Sequence, residues 1–284
     1  MNQSTRILGI FILILGITAG LVWYSAWRED RQGILTVSFL NIGQGDAIFI
    51  DAPSGRQVLI DGGPDATVLR RLGEVMPWYD RSIDVVIPTH PDADHVSGLI
   101  DVLARYQIGY ILQSSVLGDT GTWGALQKSI QKEGSKNMVA HRGQIIDLGD
   151  GAYLEVLSPD RDVANLETNT GCVVSRLVYG KTSFLFTCDA PQAIEKYLVE
   201  IDGERLKSTV LKAGHHGSKN SSAPLFVGYV DPETVVYSRG CKNRYGHPNQ
   251  ETIDTIARFN IPTHDTCTEG TITFSSNGTK VSKR

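Results

Sequence analysis

T-H-P-D-A-D-H-V-S-G, residues 89–98, packs four potential metal ligands, His90, Asp92, Asp94 and His95, into six residues. An apolar strand run, D-V-V-I-P (84–88), stops just before it, and helical spacing begins just after it. Ligand side chains on such a strand-to-helix loop can converge on one point, which scattered surface charges do not do. Imidazole suits zinc, manganese or iron, and the carboxylates shift the preference toward harder ions. A helix opening near His95 also turns its positive dipole end toward the site and favours anions there. Two later segments end strands in the same manner. L-F-T-C-D-A-P (185–191) places Asp189 at a strand end, and L-K-A-G-H-H-G-S-K-N-S-S (211–222) places the adjacent His215 and His216 there. Neighbouring histidines after a strand point in different directions, so one of the two is expected to bind metal.

Around these segments lie short β-rich runs with interspersed helical ones. Strands are expected in I-L-T-V-S-F-L-N-I, A-I-F-I-D-A, Q-V-L-I-D-G-G and S-I-D-V-V-I-P-T-H, with helices in A-T-V-L-R-R-L-G-E-V-M and H-V-S-G-L-I-D-V-L-A-R-Y. The carboxyl terminus reads as a hairpin on Asn277-Gly278. Consecutive strands mixed with helices argue for sheets covered by helices, not an alternating βα wind. The 284 residues are 41% hydrophobic and 20% charged, which excludes a disordered chain. A net charge of −4 excludes a basic coat protein. Four cysteines (172, 188, 241, 267) without a C-x-x-C pair argue against a disulfide scaffold and a zinc ribbon.

The first 31 residues are a different material. Ile7–Trp27 holds 21 residues without a charge, enough to span about 32 Å as a helix, close to a hydrocarbon core. Trp23, Tyr24 and Trp27 cluster at the far end, where amphipathic rings favour the headgroup layer. The run is longer than a signal-peptide core, and bulky rings fill the cleavage zone. Residues 1–31 therefore read as a single-pass membrane anchor and 32–284 as one catalytic domain. Arg6 on one flank and Arg28 and Arg31 on the other do not choose an orientation by count. The short leader most simply stays in the cytoplasm, which puts the domain outside.

The combined motifs carry a resemblance. T-H-P-D-A-D-H resembles the H-x-[HD]-x-D-H signature of the metallo-β-lactamase fold. The form with Asp as second ligand resembles the metallo-β-lactamase domain of ComEC-type DNA-uptake competence proteins. F-L-N-I-G-Q-G-D-A-I-F-I (39–50), V-L-I-D-G-G (58–63), the 169–190 segment, the His-His-Gly-Ser segment and Y-S-R-G-C-K-N-R-Y-G-H-P (237–248) match that family in order. The resemblance implies an α/β (α+β) chain, a four-layer αββα metallo-β-lactamase sandwich, with one or two divalent ions, zinc or manganese, at its edge. By position, His90 and Asp92 serve a first metal. Asp94 and His95 serve a second, which His215, ahead of His216, completes, and Asp189 bridges the two. Asp46 and Asp61 stand behind the ligands. The usual third histidine of the first metal is absent: Asn169, Thr170 and Cys172 occupy that stretch, and His141 lies outside it. A weak first site, or a single metal, is the implication. Cys188 replaces a glycine, where its thiol can ligate or pack as a small hydrophobe.

The implied activity is a metal-dependent phosphodiesterase or nuclease that degrades the non-transported strand or scavenges DNA, with a DNA-translocation channel as an implied partner. Asp94 would orient the attacking hydroxide, and His247 would bind the scissile phosphate or protonate the leaving oxygen. Ser218, Lys219, Asn243 and Tyr245 are candidate phosphate-backbone contacts. Residues 205–247 carry seven Lys/Arg against two acids, a net of +5, while the rest of the chain carries −9. Two other readings stand beside this one: a metallohydrolase of a lactam, ester or thioester, and a non-catalytic domain that binds DNA or a translocase.

Overall fold

A computed structural model describes residues 3–29 and 32–284, with the side chains of residues 25–29 left undescribed. Asp30 and Arg31 of the expected anchor flank, and the side chains of Trp27 and Arg28, lie outside that description. Two compact units result, Met1–Gly33 and Ile34–Arg284.

The first unit is one helix, α1 (Gln3–Glu29). Its Gln3–Tyr24 stretch has a mean hydropathy of 2.4 over its most apolar window and buries none of it, so it is long and apolar enough to cross a membrane.

The second unit is two sheets with helices on both outer faces. Its elements run β1 (Leu35–Phe39), β2 (Ile48–Asp51), β3 (Gln57–Ile60), α2 (Thr67–Val75), β4 (Ser82–Ile87), α3 (Ala93–Arg105), β5 (Gln107–Gln113), α4 (Gly121–Glu133), β6 (Lys136–Val139), β7 (Ile145–Gly149), β8 (Ala152–Ser158), β9 (Val174–Tyr179) and β10 (Thr182–Phe186). They continue with α5 (Gln192–Asp202), β11 (Val210–Lys212), α6 (Pro224–Val230), β12 (Thr234–Tyr237), α7 (Gln250–Arg258), β13 (Thr263–Asp265), α8 (Thr266–Glu269), β14 (Ile272–Ser276) and β15 (Val281–Lys283). One sheet has the order β15-β14-β1-β2-β3-β4-β5-β6, the other β13-β12-β11-β10-β9-β8-β7.

The period-two pattern of the strands decides the layering. Leu35, Val37 and Phe39 of β1 face the second sheet, where Leu154, Leu177, Phe184 and Phe186 meet them. Phe49 and Leu59 point the other way, onto Leu72 of α2, Leu99 of α3 and Leu126 of α4. On the far side, Leu185, Leu211 and Val235 pack against Leu198 of α5, Phe226 of α6 and Ile256 of α7. The result is the expected four-layer αββα sandwich.

The strands that matter for the site run parallel: β3 with β4, and β10 with β11 and β12. Their carboxyl ends carry the loops that hold Asp61, His90, Asp189, the His215-His216 pair and Ser238. Parallel strands align their carboxyl ends, which is why residues far apart in sequence meet at one edge.

The roles expected of the Cys188 thiol fail. Cys172 is disulfide-bonded to Cys188 and Cys241 to Cys267, leaving no free thiol. Cys188 therefore neither ligates nor packs as a free thiol; its sulfur ties the strand end before Asp189 to the segment before β9. Spacing could not reveal these pairs because each closes across different strands or loops.

Candidate metal centre

The site is assembled around three imidazoles whose outer nitrogens are fixed and whose inner nitrogens are bare. His95 Nδ1–H donates to Asp61 Oδ2 at 2.8 Å. His216 Nδ1–H donates to the carbonyl of Ser238 at 2.8 Å. His90 Nδ1–H donates to Thr89 Oγ1 (2.9 Å), whose own hydroxyl donates to Asp61 Oδ2 (2.7 Å). A carbonyl or carboxylate can only accept, so each ring carries its Nδ1 proton there and presents Nε2 inward. Among the described residues, Nε2 of His90, His95 and His216 is buried without a hydrogen-bond partner. Three such orphans side by side need partners, and cations held among them and the neighbouring carboxylates would supply them.

Asp189 Oδ2 is the centre of the cluster. It lies 3.3 Å from His95 Nε2, 3.4 Å from His216 Nε2 and 3.5 Å from His215 Nε2, and Asp94 Oδ2 lies 3.6 Å from His216 Nε2. Ligands of one tetrahedral ion with bonds of about 2.0–2.1 Å stand roughly 3.4 Å apart, so this spacing fits a metal. Asp94, His95 and His216 form one group able to hold an ion, and His90, His95 and Asp189 another.

The electrostatics agree with that fit. Burial disfavours charge on His95, but Asp189 and Asp61 hold the ring well above its usual value. Burial likewise opposes charge on His216, and Asp189 and Asp46 overcome it. Burial pushes Asp189 up, yet His216, His95 and Lys212 hold it well below the usual carboxylate range. For Asp94 burial again pushes up, and contacts with His216 and His95 bring it down to about 2. Buried acids with protonated imidazoles between them offer a divalent ion a ready exchange for protons.

The backbone is strained where the ligands sit. His215 and His216 both adopt left-handed φ (48° and 57°), as do Asp61 (57°) and Cys188 (43°). For residues with a Cβ this costs on the order of 1–3 kcal/mol each and persists only where the surroundings enforce it. Gly45, at φ 124°, is a different case: a Cβ there would lie 1.9 Å from the Asp94 carbonyl oxygen. The glycine of G-Q-G-D is thus what lets the β1–β2 turn press against the start of α3.

The expected residues do not all fall where position alone puts them. His216, not His215, belongs to the groups able to hold an ion; His215 is partly exposed and reaches Asp189 from the cleft side. Asp92 lies 3.6 Å from His90 Nε2 and also bonds Thr168, and among the described residues it joins none of the groups able to hold an ion. Asn169 stands where the third histidine is missing, and its Oδ1 is buried without a hydrogen-bond partner among the described residues. His141 is exposed and donates to the Arg142 carbonyl, away from the cluster. Asp46 is buried behind the ligands, 3.5 Å from His216 Nδ1.

Of the candidate substrate contacts, Lys219 lines an open cavity of about 460 Å³ with Asn169, Asp189, Gln192, His215 and Asn220. Tyr245 is half-exposed and stacks on His247 at 5.6 Å between ring centres. His247 itself lies 5.4 Å from the His215 ring. Burial, then the neighbouring His215 and His216, lower it to about 4, so it is neutral at pH 7 and suits hydrogen-bond donation more than proton donation. Asn243 is spent on its own loop, donating to the carbonyls of Gly240 and His247 and accepting from His247 N–H. Ser218 is buried, its hydroxyl oxygen accepting from Asn220 N–H. The +5 segment is also less basic than its count: Arg205 pairs with Glu155, Lys207 with Asp231 and Arg239 with Asp265, and Lys212 is buried. Lys219, Lys242 and Arg244 remain without an acid partner among the described residues.

Thr89 and Lys212 were missed as site residues. The signal for Lys212 was present, a cation inside the apolar strand run V-L-K-A that leads into His-His.

The sequence profile of the Metallo-beta-lactamase superfamily matches residues 40–240. The chain belongs to this superfamily. Among curated proteins it is 28% identical to ComE operon protein 3 of Bacillus subtilis (strain 168) over 256 residues, covering 84% of this chain and 32% of that protein. It is also 28% identical to Competence protein ComA of Neisseria gonorrhoeae over 262 residues, 91% of this chain and 34% of that one. The chain thus spans about a third of the length of the curated relatives it matches. In fold it is similar to the metallo-beta-lactamase fold protein YhfI from Bacillus subtilis, with a TM-score of 0.58 and 13% identity over 86% of this chain and 99% of that one. The superfamily and the competence-protein relatives are those to which the motifs pointed.

Proposed function

We propose that this chain is a membrane-anchored, metal-dependent phosphodiesterase that cleaves DNA during its uptake. Superfamily membership and the buried His/Asp groups support metal-dependent hydrolysis as the general chemistry. The resemblance of the motifs to DNA-uptake competence proteins, to which the similar relatives belong by name, supports DNA as the substrate. The observation that carries the reading is the gathering of Asp94, His95 and His216 around Asp189, which itself lines an open cleft together with His215 and Lys219.

Asp94, His95, His216 and Asp189 would hold one divalent ion. His90 and Asp92, with the Asn169 oxygen, would hold a second more weakly, and that oxygen-rich set favours manganese over zinc. A bound ion supplies Lewis acidity toward water and a phosphoryl oxygen. The protein's part is orientation. Asp61 and Thr89 lock the ring directions of His95 and His90, and Asp94 would orient the attacking hydroxide by accepting its hydrogen bond. The neutral His247 is placed to donate a hydrogen bond to a phosphate. Lys219, Lys242 and Arg244 would follow the DNA backbone beside the site.

Both disulfides support placing the domain outside the cytoplasm, because such bonds form and persist in oxidising compartments. The test is Mn²⁺- or Zn²⁺-dependent cleavage of single-stranded DNA by the full chain, with Asp94→Ala as control. Loss of at least about 100-fold in Asp94→Ala is the expected result. Activity on esters, thioesters or lactams with no DNA cleavage would replace the nuclease reading by a small-molecule one.

A further inference from the structure

Lys212 ends β11 with a side chain that is fully buried. A lone ammonium in such a place is costly, so its partners define its purpose. Nζ donates to the Cys188 carbonyl at 2.8 Å, stands 2.5 Å from Asp46 Oδ2 and reaches Asp189 Oδ1 at 3.5 Å.

Those two carboxylates belong to a further group able to hold an ion. Asp46, Asp189 and His216 offer ligand atoms within 4.8 Å of one another, all from buried residues. The group shares His216 with the Asp94, His95 and His216 group, but His216 has one free nitrogen, Nε2, so an additional ion at the back would rest on the three oxygens that now surround Lys212 Nζ, those of Asp46, Asp189 and the Cys188 carbonyl. Of the overlapping groups able to hold an ion, these two define a front and a back cation position. The front one includes Asp94, whose side chain is 32% exposed. The back one is sealed from solvent, and an ion held there could not meet a substrate. The Lys212 ammonium lies against both carboxylates of the back position.

We infer that Lys212 is a positioning residue whose ammonium takes the place of a divalent ion at the back position and so confines the ion to the front. It also engages Asp189 Oδ1, leaving Oδ2 to face His95 and His216. The inference rests on the metal-dependent reading above, and its test separates the two.

Full-length protein in detergent is titrated with Mn²⁺ by calorimetry, and bound metal is counted by elemental analysis after desalting. Lys212→Met is expected to bind one more equivalent than the parent. Asp46→Asn combined with Lys212→Met removes a back ligand and is expected to return the count to the parent's. Lys212→Met with the parent's count and an affinity within threefold would overturn the inference. Where Lys212→Met folds poorly without metal, the melting temperature decides. Mn²⁺ is expected to raise it more in the variant than in the parent, and equal shifts count against the inference. A parent that binds no divalent ion removes the hydrolase reading; Lys212 is then still judged by whether its Met variant gains an ion.

Discussion

At Asp189 Oδ2 three imidazoles and one carboxylate come within reach of each other, and the contribution of each ring follows from what holds its far nitrogen. His216 is buried and anchored on Ser238; His215 is open to the cleft. His216→Ala is expected to lose Mn²⁺ affinity far more than His215→Ala, read by calorimetry, and the reverse order would assign the ligand to His215. Asp61→Ala, which frees the His95 ring and Thr89, is expected to weaken metal binding about 10–100-fold. The pH dependence has a definite sign. In the metal-free chain His95 and His216 are held above the usual 6.5 by carboxylates. Their stabilising charge is complete below that value and is lost as pH rises through the raised one. Metal binding must release those protons, so Mn²⁺ affinity is expected to rise with pH. Melting curves with chelator should fall on the alkaline side, and curves with saturating Mn²⁺ should not. The sequence displayed these ligands as strand-end clusters, but it ranked the two adjacent histidines by position. Left-handed turns at both residues decide which ring points inward, and no residue type announces them.

At the level of elements, α5 is tied to the loop that follows the histidine pair. Buried Glu195 of α5 accepts from the N–H groups of Ser222 and Ala223 at 2.6 and 2.8 Å. Burial raises its carboxyl from 4.5 to about 7, despite those hydrogen bonds. A folded value above the unfolded one means the folded state binds the proton more tightly. Stability is therefore expected to fall as pH rises from 4.5 to about 7, by up to about 3 kcal/mol. Glu195→Gln should flatten that slope in urea titrations across the range, and an unchanged slope would refute the assignment. Helices α2 and α3 were legible because their apolar residues recur at helical spacing. Helix α4 was not: Gly121 and Gly124 interrupt its pattern, and its boundaries come from caps. Thr120 Oγ1 accepts from Trp123 N–H at its start, and Gly134 turns left-handed at its end. Strand β13 is three residues long and exists by pairing with β12, which no local pattern records.

For the whole molecule, one apolar helix and one disulfide-bonded domain make a joint statement about compartment. If the domain lies outside, thiol alkylation of unreduced protein from cells should leave all four cysteines unmodified, with modification appearing after reduction. Extensive modification without reduction would place the domain in the cytoplasm. Loss of Cys172–Cys188 by Cys172→Ala is expected to cost about 2–5 kcal/mol, measured by urea unfolding. Composition and periodicity by themselves determined a membrane-length helix followed by a layered α/β domain, and motif spacing determined which acids and histidines line one edge. Those features are local, since hydrophobic period and ligand clustering are written in consecutive residues. Only the tertiary structure decided that His216 faces the centre, that four cysteines pair, that most of the basic segment is neutralised, and that Lys212 lies between Asp46 and Asp189. Each of these depends on contacts between segments far apart in the chain, brought side by side or face to face by sheet pairing and core packing, and no stretch of chain encodes the distance between two others.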